Sequence, residues 1–205
     1  MALVDKRAGE IKQRSQELTD CVRELRNVGS ELTLLKTAGS ATNLASKVHW
    51  LRRAADTAGA ALESLSACRK GCSHCCAIPV MVAENEARII GRQIGRRPAK
   101  VTTSTTFANA LEQPGIVEEA QHAMAAKYTG VECTFLRDGE CSIYEHRPLA
   151  CRGQINIDRD ALMCELVEGF GVPVVYLDMT PHKVMYLQVL GLRQQYADLR
   201  DWFPD

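Results

Sequence analysis

The chain has 205 residues, of which 46% are hydrophobic and 24% charged, and its 25 basic and 25 acidic residues cancel. That is a globular composition and excludes a disordered chain. The longest stretches without charged or strongly polar residues, such as Cys75–Ala83, fall well short of the roughly 20 residues a membrane helix needs, so no membrane span is expected.

The first residues, Met1 to Arg7, contain no long apolar run of the kind a secretory signal requires, and a cytoplasmic location is the expectation. Ile11, Leu18, Leu25 and Leu32 then recur every seven residues, with Cys21, Val28 and Leu35 between them. After Ala38-Gly39-Ser40 a second register begins at Leu44, Val48, Leu51, Ala55, Ala58, Leu62 and Leu65. Alternating steps of three and four make an apolar helical seam. The spacing predicts an antiparallel helical hairpin over 1–66, with Gly39 stopping the first helix and Ser40 or Thr42 capping the second. Such a seam packs on itself, on the rest of the chain, or on another molecule, so a protein partner or a homodimer through the hairpin is a candidate.

The second helix is expected to run into Cys68, where a cysteine-rich loop extends to Pro79. A helix is predicted over 83–97, with Glu84 and Glu86 in its first turn, Arg92, Arg96 and Arg97 near its end, and Pro98 as its stop. A further helix is predicted over Gly115–Tyr128, closed by Thr129-Gly130. Residues 131–158 read as irregular, around turn residues such as Asp138-Gly139. Helix is predicted again over about 160–168 and 182–200, and a short strand over Val172–Leu177. The predicted class is mainly α: the N-terminal antiparallel hairpin plus an irregular, metal-organised cysteine-cluster domain with several helices, over 67–205.

Net charge is uneven along the chain: +2 over 1–67, +5 over 68–100 and −7 over 101–205. The basic middle segment carries Arg69, Lys70, Arg88, Arg92, Arg96, Arg97 and Lys100. Phosphate contact is one use of such a stretch. With aromatics at 5% there is no stacking platform, so nucleic acid is not an expected partner and the charge reads as a solvated helix face offsetting nearby thiolates.

Cysteine carries the chemistry. There are nine, and eight lie between Cys68 and Cys164. The first group is Cys68-Arg-Lys-Gly-Cys72-Ser-His-Cys75-Cys76; the second is Cys133, Cys141, Cys151 and Cys164. Spacings of two and three residues between cysteines are those of metal knuckles, and Gly71 gives the backbone freedom to turn between them. Disulfides need an oxidising compartment to which nothing here directs the chain. Buried thiols acting as small hydrophobes account for Cys21 on the seam but not for eight clustered cysteines. The candidate metal ligands are therefore Cys68, Cys72, Cys75, Cys76, Cys133, Cys141, Cys151 and Cys164. All-thiolate ligation suits zinc and equally suits iron, including a [4Fe–4S] cluster. Eight cysteines make two four-ligand sites, or one site and reactive spares. Adjacent Cys75 and Cys76 are poorly placed to serve one centre alike, so one of them bridges or feeds a second site.

Arg69, Lys70, Arg147 and Arg152 flank the thiolates and are placed to offset their charge. His74 and His146 read as neighbours of the site rather than ligands. Pro148 fixes its own backbone and biases Arg147 away from helix, which holds Cys141 and Cys151 on a stiff loop. Tyr144, Arg147 and Arg152 are the candidate residues of a binding site beside the metal. Cys68-x3-Cys72-x2-Cys75 also has the spacing of radical S-adenosylmethionine enzymes, but it follows a long helix and the chain lacks the alternating strand–helix pattern of their barrel.

With these residues in view, the chain resembles the YkgJ-type cysteine-cluster family, described as zinc- or iron-chelating. The resemblance covers about 66–178. It rests on the Cys68/Cys72/Cys75-Cys76 group and on Cys133-Thr-Phe-Leu-Arg-Asp-Gly-Glu-Cys141-Ser-Ile-Tyr-Glu-His-Arg147-Pro148-Leu-Ala-Cys151-Arg152, with Cys164 and Gly171-Val172-Pro173 after it. The first spacing here is three residues where many relatives have two, and residues 1–65 look like an added helical hairpin. The resemblance implies metal binding. A related cluster in flagellin lysine methylases is linked to an iron–sulfur centre, but no nucleotide-binding glycine motif accompanies it here.

Three functions follow as expectations. One is a cytoplasmic protein holding zinc, iron or an iron–sulfur centre. Another is a metal-dependent enzyme acting on a protein or small molecule, although the sequence leaves enzymatic activity open. The third is a metal carrier or adaptor that docks through the hairpin.

Overall fold

The hairpin sequence is rich in alanine, and alanine lets helix backbones approach closely. In a computed structural model, residues 5–6, 9–10, 15–26, 28–69, 71–108, 113, 115–158, 160–165 and 176–205 are described. Helix α1 covers Ser15–Leu25, α2 Val28–Ser40 and α3 Leu44–Ala60. Helices α2 and α3 pack along one another, joined through residues 41–43. Ala38, Ala54, Ala55 and Ala58 are buried there beside Leu35, Leu51 and Leu62.

Three features differ from the expectation for this region. The chain leaves the helix at Arg26 instead of running on to Gly39, and the Arg26 guanidinium is held by buried Glu31, with Nε–Oε1 and Nη2–Oε2 distances of 2.7 Å. Gly39 lies inside α2, and the cap of α3 is Asn43, whose Oδ1 accepts from the Ser46 amide at 2.9 Å. The break also changes the register. Helix α2 turns Glu31, Leu35 and Ala38 inward, while Leu25, Val28 and Leu32 face outward with 45, 46 and 44% exposure.

Helix α3 ends at Ala60, and a single 3-10 turn over Glu63–Leu65 leads to Cys68. Strand β1 (Met81–Ala83) enters α4 (Glu84–Ile94), which stops at Gly95 in the left-handed region (φ 70°), before Pro98 is reached. Helix α5 spans Ile116–Tyr128 as expected. The Asp138-Gly139 turn, with φ of 51° and 78°, closes a small β-hairpin of β2 (Leu136–Arg137) and β3 (Glu140–Cys141) inside the segment expected to be irregular. Two four-residue helices follow, α6 (Leu149–Arg152) and α7 (Leu162–Glu165).

The expected helix over 182–200 is a helix, a strand and a second helix. Helix α8 runs Thr180–Leu190 with Pro181 in its first turn and ends at Gly191 (φ 91°). The chain reverses into β4 (Tyr196–Asp198), buried at every position, and then into α9 (Leu199–Trp202). Strand β4 pairs antiparallel with β1, matching Met81 to Asp198 and Ala83 to Tyr196. The strand expected over 172–177 lies mostly outside the described residues; Tyr176 makes an isolated bridge to Asn156.

The fold is mainly helical. Leu149, Ile157, Leu177 and Met179 complete the core built by α2 and α3. A second core joins Val82, Ile90, Phe135, Ile143, Trp202 and Phe203, and partly buried Cys133, Cys141 and Cys151 pack against it. The cysteine segments therefore sit between two apolar cores. Among the described residues, no helix is long and apolar enough to cross a membrane.

Candidate metal centre

Each cysteine is positioned by a short, irregular piece of backbone. Gly71 takes φ 92°, which turns the chain between Cys68 and Cys72. A 3-10 turn over His74–Ala77 carries the adjacent Cys75 and Cys76, and the Cys133 amide donates to the Cys76 carbonyl at 2.9 Å. Cys141 lies on β3, and Cys151 on α6, directly after Pro148. All nine cysteines have free thiols.

A cavity of about 260 Å³ is lined by Cys68, Cys72, Cys75 and Cys151, with Tyr144, Arg147 and Arg152 on its wall. Cys164 adjoins it through Asn156. The Asn156 amide donates to Cys68 Sγ at 3.2 Å, and its side-chain Nδ2 donates to Cys164 Sγ at 3.3 Å. Asn156 is buried, so both bonds are shielded from water. One asparagine thus joins the first and last cysteines of the cluster.

The electrostatics couple the thiols through Cys75, whose charge raises Cys72 and Cys164 and also Cys76, Cys141 and Cys151. Burial pushes Cys164 up to about 12, and negative charge on Cys68, Cys72 and Cys75 adds to the rise. Cys72 is raised by burial, opposed by a backbone hydrogen bond from His74, with charge on Cys68 and Cys75 adding. Cys76 is raised by its hydrogen bond to Cys75 and by burial, then by charge on Cys75, Cys133 and Cys151. Cys151 is raised well above a free thiol by burial, with Cys75, Cys133 and Cys141 adding. Burial likewise raises Cys133 and Cys141. Cys75 moves the other way, to about 7: hydrogen bonding to Cys76 stabilises its thiolate, burial opposes this, and Arg147 helps. Thiols raised by burial and by one another's charge suit a cation, which removes that repulsion when it binds.

Arg147 and Arg152 have different surroundings. The Arg147 guanidinium lies 4.1 Å from the centroid of the Tyr144 ring, and its buried Nε has no hydrogen-bond partner among the described residues. Arg152 is fully engaged. Its Nη1 contacts both Asp56 carboxylate oxygens at 2.6 Å, Nη2 donates to the Glu145 carbonyl at 2.6 Å, and Nε donates to the Arg147 carbonyl at 3.1 Å. Arg152 therefore braces the loop that carries Cys151, with Tyr144 and Arg147 left at the cavity. Asp56 and Asn156 had no signal in the sequence, since neither belongs to a cysteine motif.

The side-chain positions do not form a ready coordination sphere: among the described residues, no three His, Cys, Asp or Glu side chains are grouped to hold a metal ion. The donor chemistry nonetheless fits a soft metal. Cys68, Cys72, Cys75 and Cys151, from two distant chain segments, line one cavity flanked by cationic side chains, and none of the thiols is tied up in a disulfide.

Residues 67–165 match the model of the CxxCxxCC family, described as "Putative zinc- or iron-chelating domain". This segment belongs to the YkgJ-type cysteine-cluster family. The match takes in all eight clustered cysteines and leaves out Cys21 and the helical extension. The YkgJ-type resemblance over 166–178 falls beyond the match, and Gly171-Val172-Pro173 lies outside the described residues. No curated protein and no solved structure matches the chain.

Proposed function

We propose that this protein is a metal chelator that holds zinc or iron in two four-cysteine sets, with the fork between them at Cys75 and Cys76. The front set is Cys68, Cys72, Cys75 and Cys164. The rear set is Cys76, Cys133, Cys141 and Cys151. The observation that carries the reading is Asn156, which donates to Cys68 and Cys164 at once and so gathers sulfurs from the two ends of the cluster. The backbone bond from Cys133 to Cys76 supports the rear grouping in the same way. Splitting adjacent cysteines between two centres removes the geometric difficulty of having both serve one.

A polynuclear iron–sulfur centre is the assignment for the front set, three of whose thiols, Cys68, Cys72 and Cys75, line the cavity together with Cys151. A single zinc ion needs its sulfurs about 2.3 Å from one point. Sulfurs around the wall of a cavity suit a larger inorganic core, whose charge Arg147 is placed to offset. When bound, such a centre supplies electron transfer or Lewis acidity. The residues of this chain fix the thiolates, shield them between two cores and present one unpartnered guanidinium N–H.

The test is elemental analysis of anaerobically purified protein, with its optical spectrum. Stoichiometric iron and sulfide with visible charge-transfer absorbance are expected. Stoichiometric zinc in a colourless protein supports chelation and removes the iron–sulfur assignment. Absence of both metals, with no uptake when they are supplied, overturns the proposal.

A second reading, a metal-dependent enzyme, is favoured by Tyr144 and Arg147, which line the cavity while the Arg147 Nε lacks a partner. An anion held between this guanidinium and the metal is its expected substrate class. A third, a docking arm, rests on exposed Leu25, Val28 and Leu32, and loss of a dimer or partner on replacing these three by Ser, with metal retained, is its test.

A further inference from the structure

The family match ends at residue 165, yet a residue close to the C-terminus reaches the backbone of the rear cysteines. Arg200 lies on α9, directly after β4, and is 7% exposed. Its Nη2 donates to the carbonyls of Cys76 at 3.1 Å and Ile78 at 3.0 Å, and its Nε donates to the carbonyl of Glu132 at 3.4 Å. The Tyr128 ring lies against the guanidinium, with Cζ 4.8 Å from the ring centroid. Arg200 therefore holds both the peptide that follows Cys76 and the peptide that precedes Cys133.

The Cys76 carbonyl also accepts from the Cys133 amide at 2.9 Å. A carbonyl oxygen has two lone pairs, so these two donors saturate it and fix the orientation of its peptide.

A guanidinium is costly to bury without a counter-charge. Asp198, at 0% exposure, supplies one. Its Oδ1 lies 3.0 Å from Nη1 of Arg200 and accepts from the Arg200 amide at 2.9 Å, while its Oδ2 accepts from the Val80 amide at 2.7 Å. A buried ion pair adds little net stability over well-packed apolar side chains. What this one adds is direction, because a rigid fork of N–H groups meets carbonyls from two loops distant in the chain. The charge also bears on the thiol beside it. Burial, the largest influence, raises Cys133; a backbone hydrogen bond from Phe135 and the charge on Arg200 lower it, against Cys141 and Asp198.

We propose that Arg200 is a positioning residue of the rear metal set: anchored by Asp198, it fixes the backbone at Cys76 and Cys133 so that their sulfurs meet one ion. The metal centre then extends past the family match into the last strand and helix. This rests on the division of the thiols into two sets.

The probe is 113Cd2+, a soft ion suited to thiolates, loaded into the reduced full chain under anaerobic conditions and followed by 113Cd NMR. Two signals are expected from the parent, one for each set; Cys76→Ser removes the rear signal and Cys75→Ser the front one. Arg200→Gln removes the charge and leaves a single NH2 group for three carbonyls. Its rear signal shifts, and EDTA withdraws rear cadmium at about 10–100-fold lower concentration, the range for losing a residue that orients metal ligands, while the front signal and its EDTA midpoint stay as in the parent. Arg200→Lys keeps the charge opposite Asp198 but lacks the fork, and falls between parent and Arg200→Gln. It also serves if Arg200→Gln does not fold, with unchanged far-UV circular dichroism as the control. General loosening of the fold weakens both sets alike. Equal weakening of the two sets, or a rear signal and midpoint unchanged in the folded variants, overturns the assignment. Fewer than two cadmium signals in the parent sinks the two-set division itself, and this assignment with it.

Discussion

Both carboxylate oxygens of Asp56 lie 2.6 Å from Nη1 of Arg152, which joins the helical extension to the loop carrying Cys151. Arg152 is buried, whereas the Asp56 side chain is 42% exposed, so the pair is partly screened. Asp56→Ala leaves the buried guanidinium with its two carbonyl partners alone. A loss of about 1–2 kcal/mol is predicted, as for a hydrogen bond to a charged group. Urea denaturation measures it, and faster release of metal to a chelator is the accompanying sign that the Cys151 loop has loosened.

Glu86 is the more severe position. It is 1% exposed and accepts from Arg52 Nε and Nη2 at 3.2 and 3.1 Å, from the Leu149 amide at 3.0 Å and from Tyr186 at 2.8 Å. This one carboxylate ties α3, α4, α8 and the first turn of α6. Glu86→Ala strands a buried arginine and is predicted to cost about 3–5 kcal/mol. Glu86→Gln keeps a carbonyl acceptor and costs less. Thermal or urea unfolding of the two variants gives that order, and equal costs remove the carboxylate from its central role.

The fork at Cys75 and Cys76 predicts selective loss of metal. Cys75→Ser empties the front set and leaves the rear set, while Cys76→Ser does the reverse. Each variant retains about half of the metal, because four ligands define one thiolate centre. Cys21→Ser changes nothing, since Cys21 lies on α1, apart from the eight. Elemental analysis decides this, and total loss in both single variants means that the eight thiols serve one centre.

Stability falls with acid through His182. Burial lowers this group below the ordinary 6.5, opposed by the Ala54 carbonyl, which accepts from the imidazole, and by charge on Glu31, while Arg26 lowers it and Asp178 raises it. Below about 6.5 the unfolded chain takes up a proton that the folded chain refuses, so stability drops as pH falls from there toward the lower folded value. Above 6.5 the histidine contributes no slope. Urea midpoints between pH 7 and 5 are predicted to fall less steeply for His182→Phe than for the parent. Parallel curves remove the assignment.

What the sequence determined by itself is local. Asp138-Gly139 declares its turn because both residues tolerate positive φ, and the seam from Val48 to Leu62 declares its buried face through helical periodicity. The number and spacing of the eight cysteines carry the family resemblance that the match over 67–165 bears out. Other features depended on partners distant in the chain. Leu25 and Leu32 keep a heptad spacing, yet they face outward because Glu31 and Arg26 meet at the break between α1 and α2. Residues 196–198 continue a run predicted to be helical, yet they form a strand because β1 offers a ladder that α8 cannot provide past Gly191. The bonds from Asn156 to Cys68 and Cys164 were equally out of reach, since Asn156, like Asp56 and His182, belongs to no motif. These residues acquire their roles from what folding brings beside them, and a one-dimensional pattern does not encode such long-range juxtaposition.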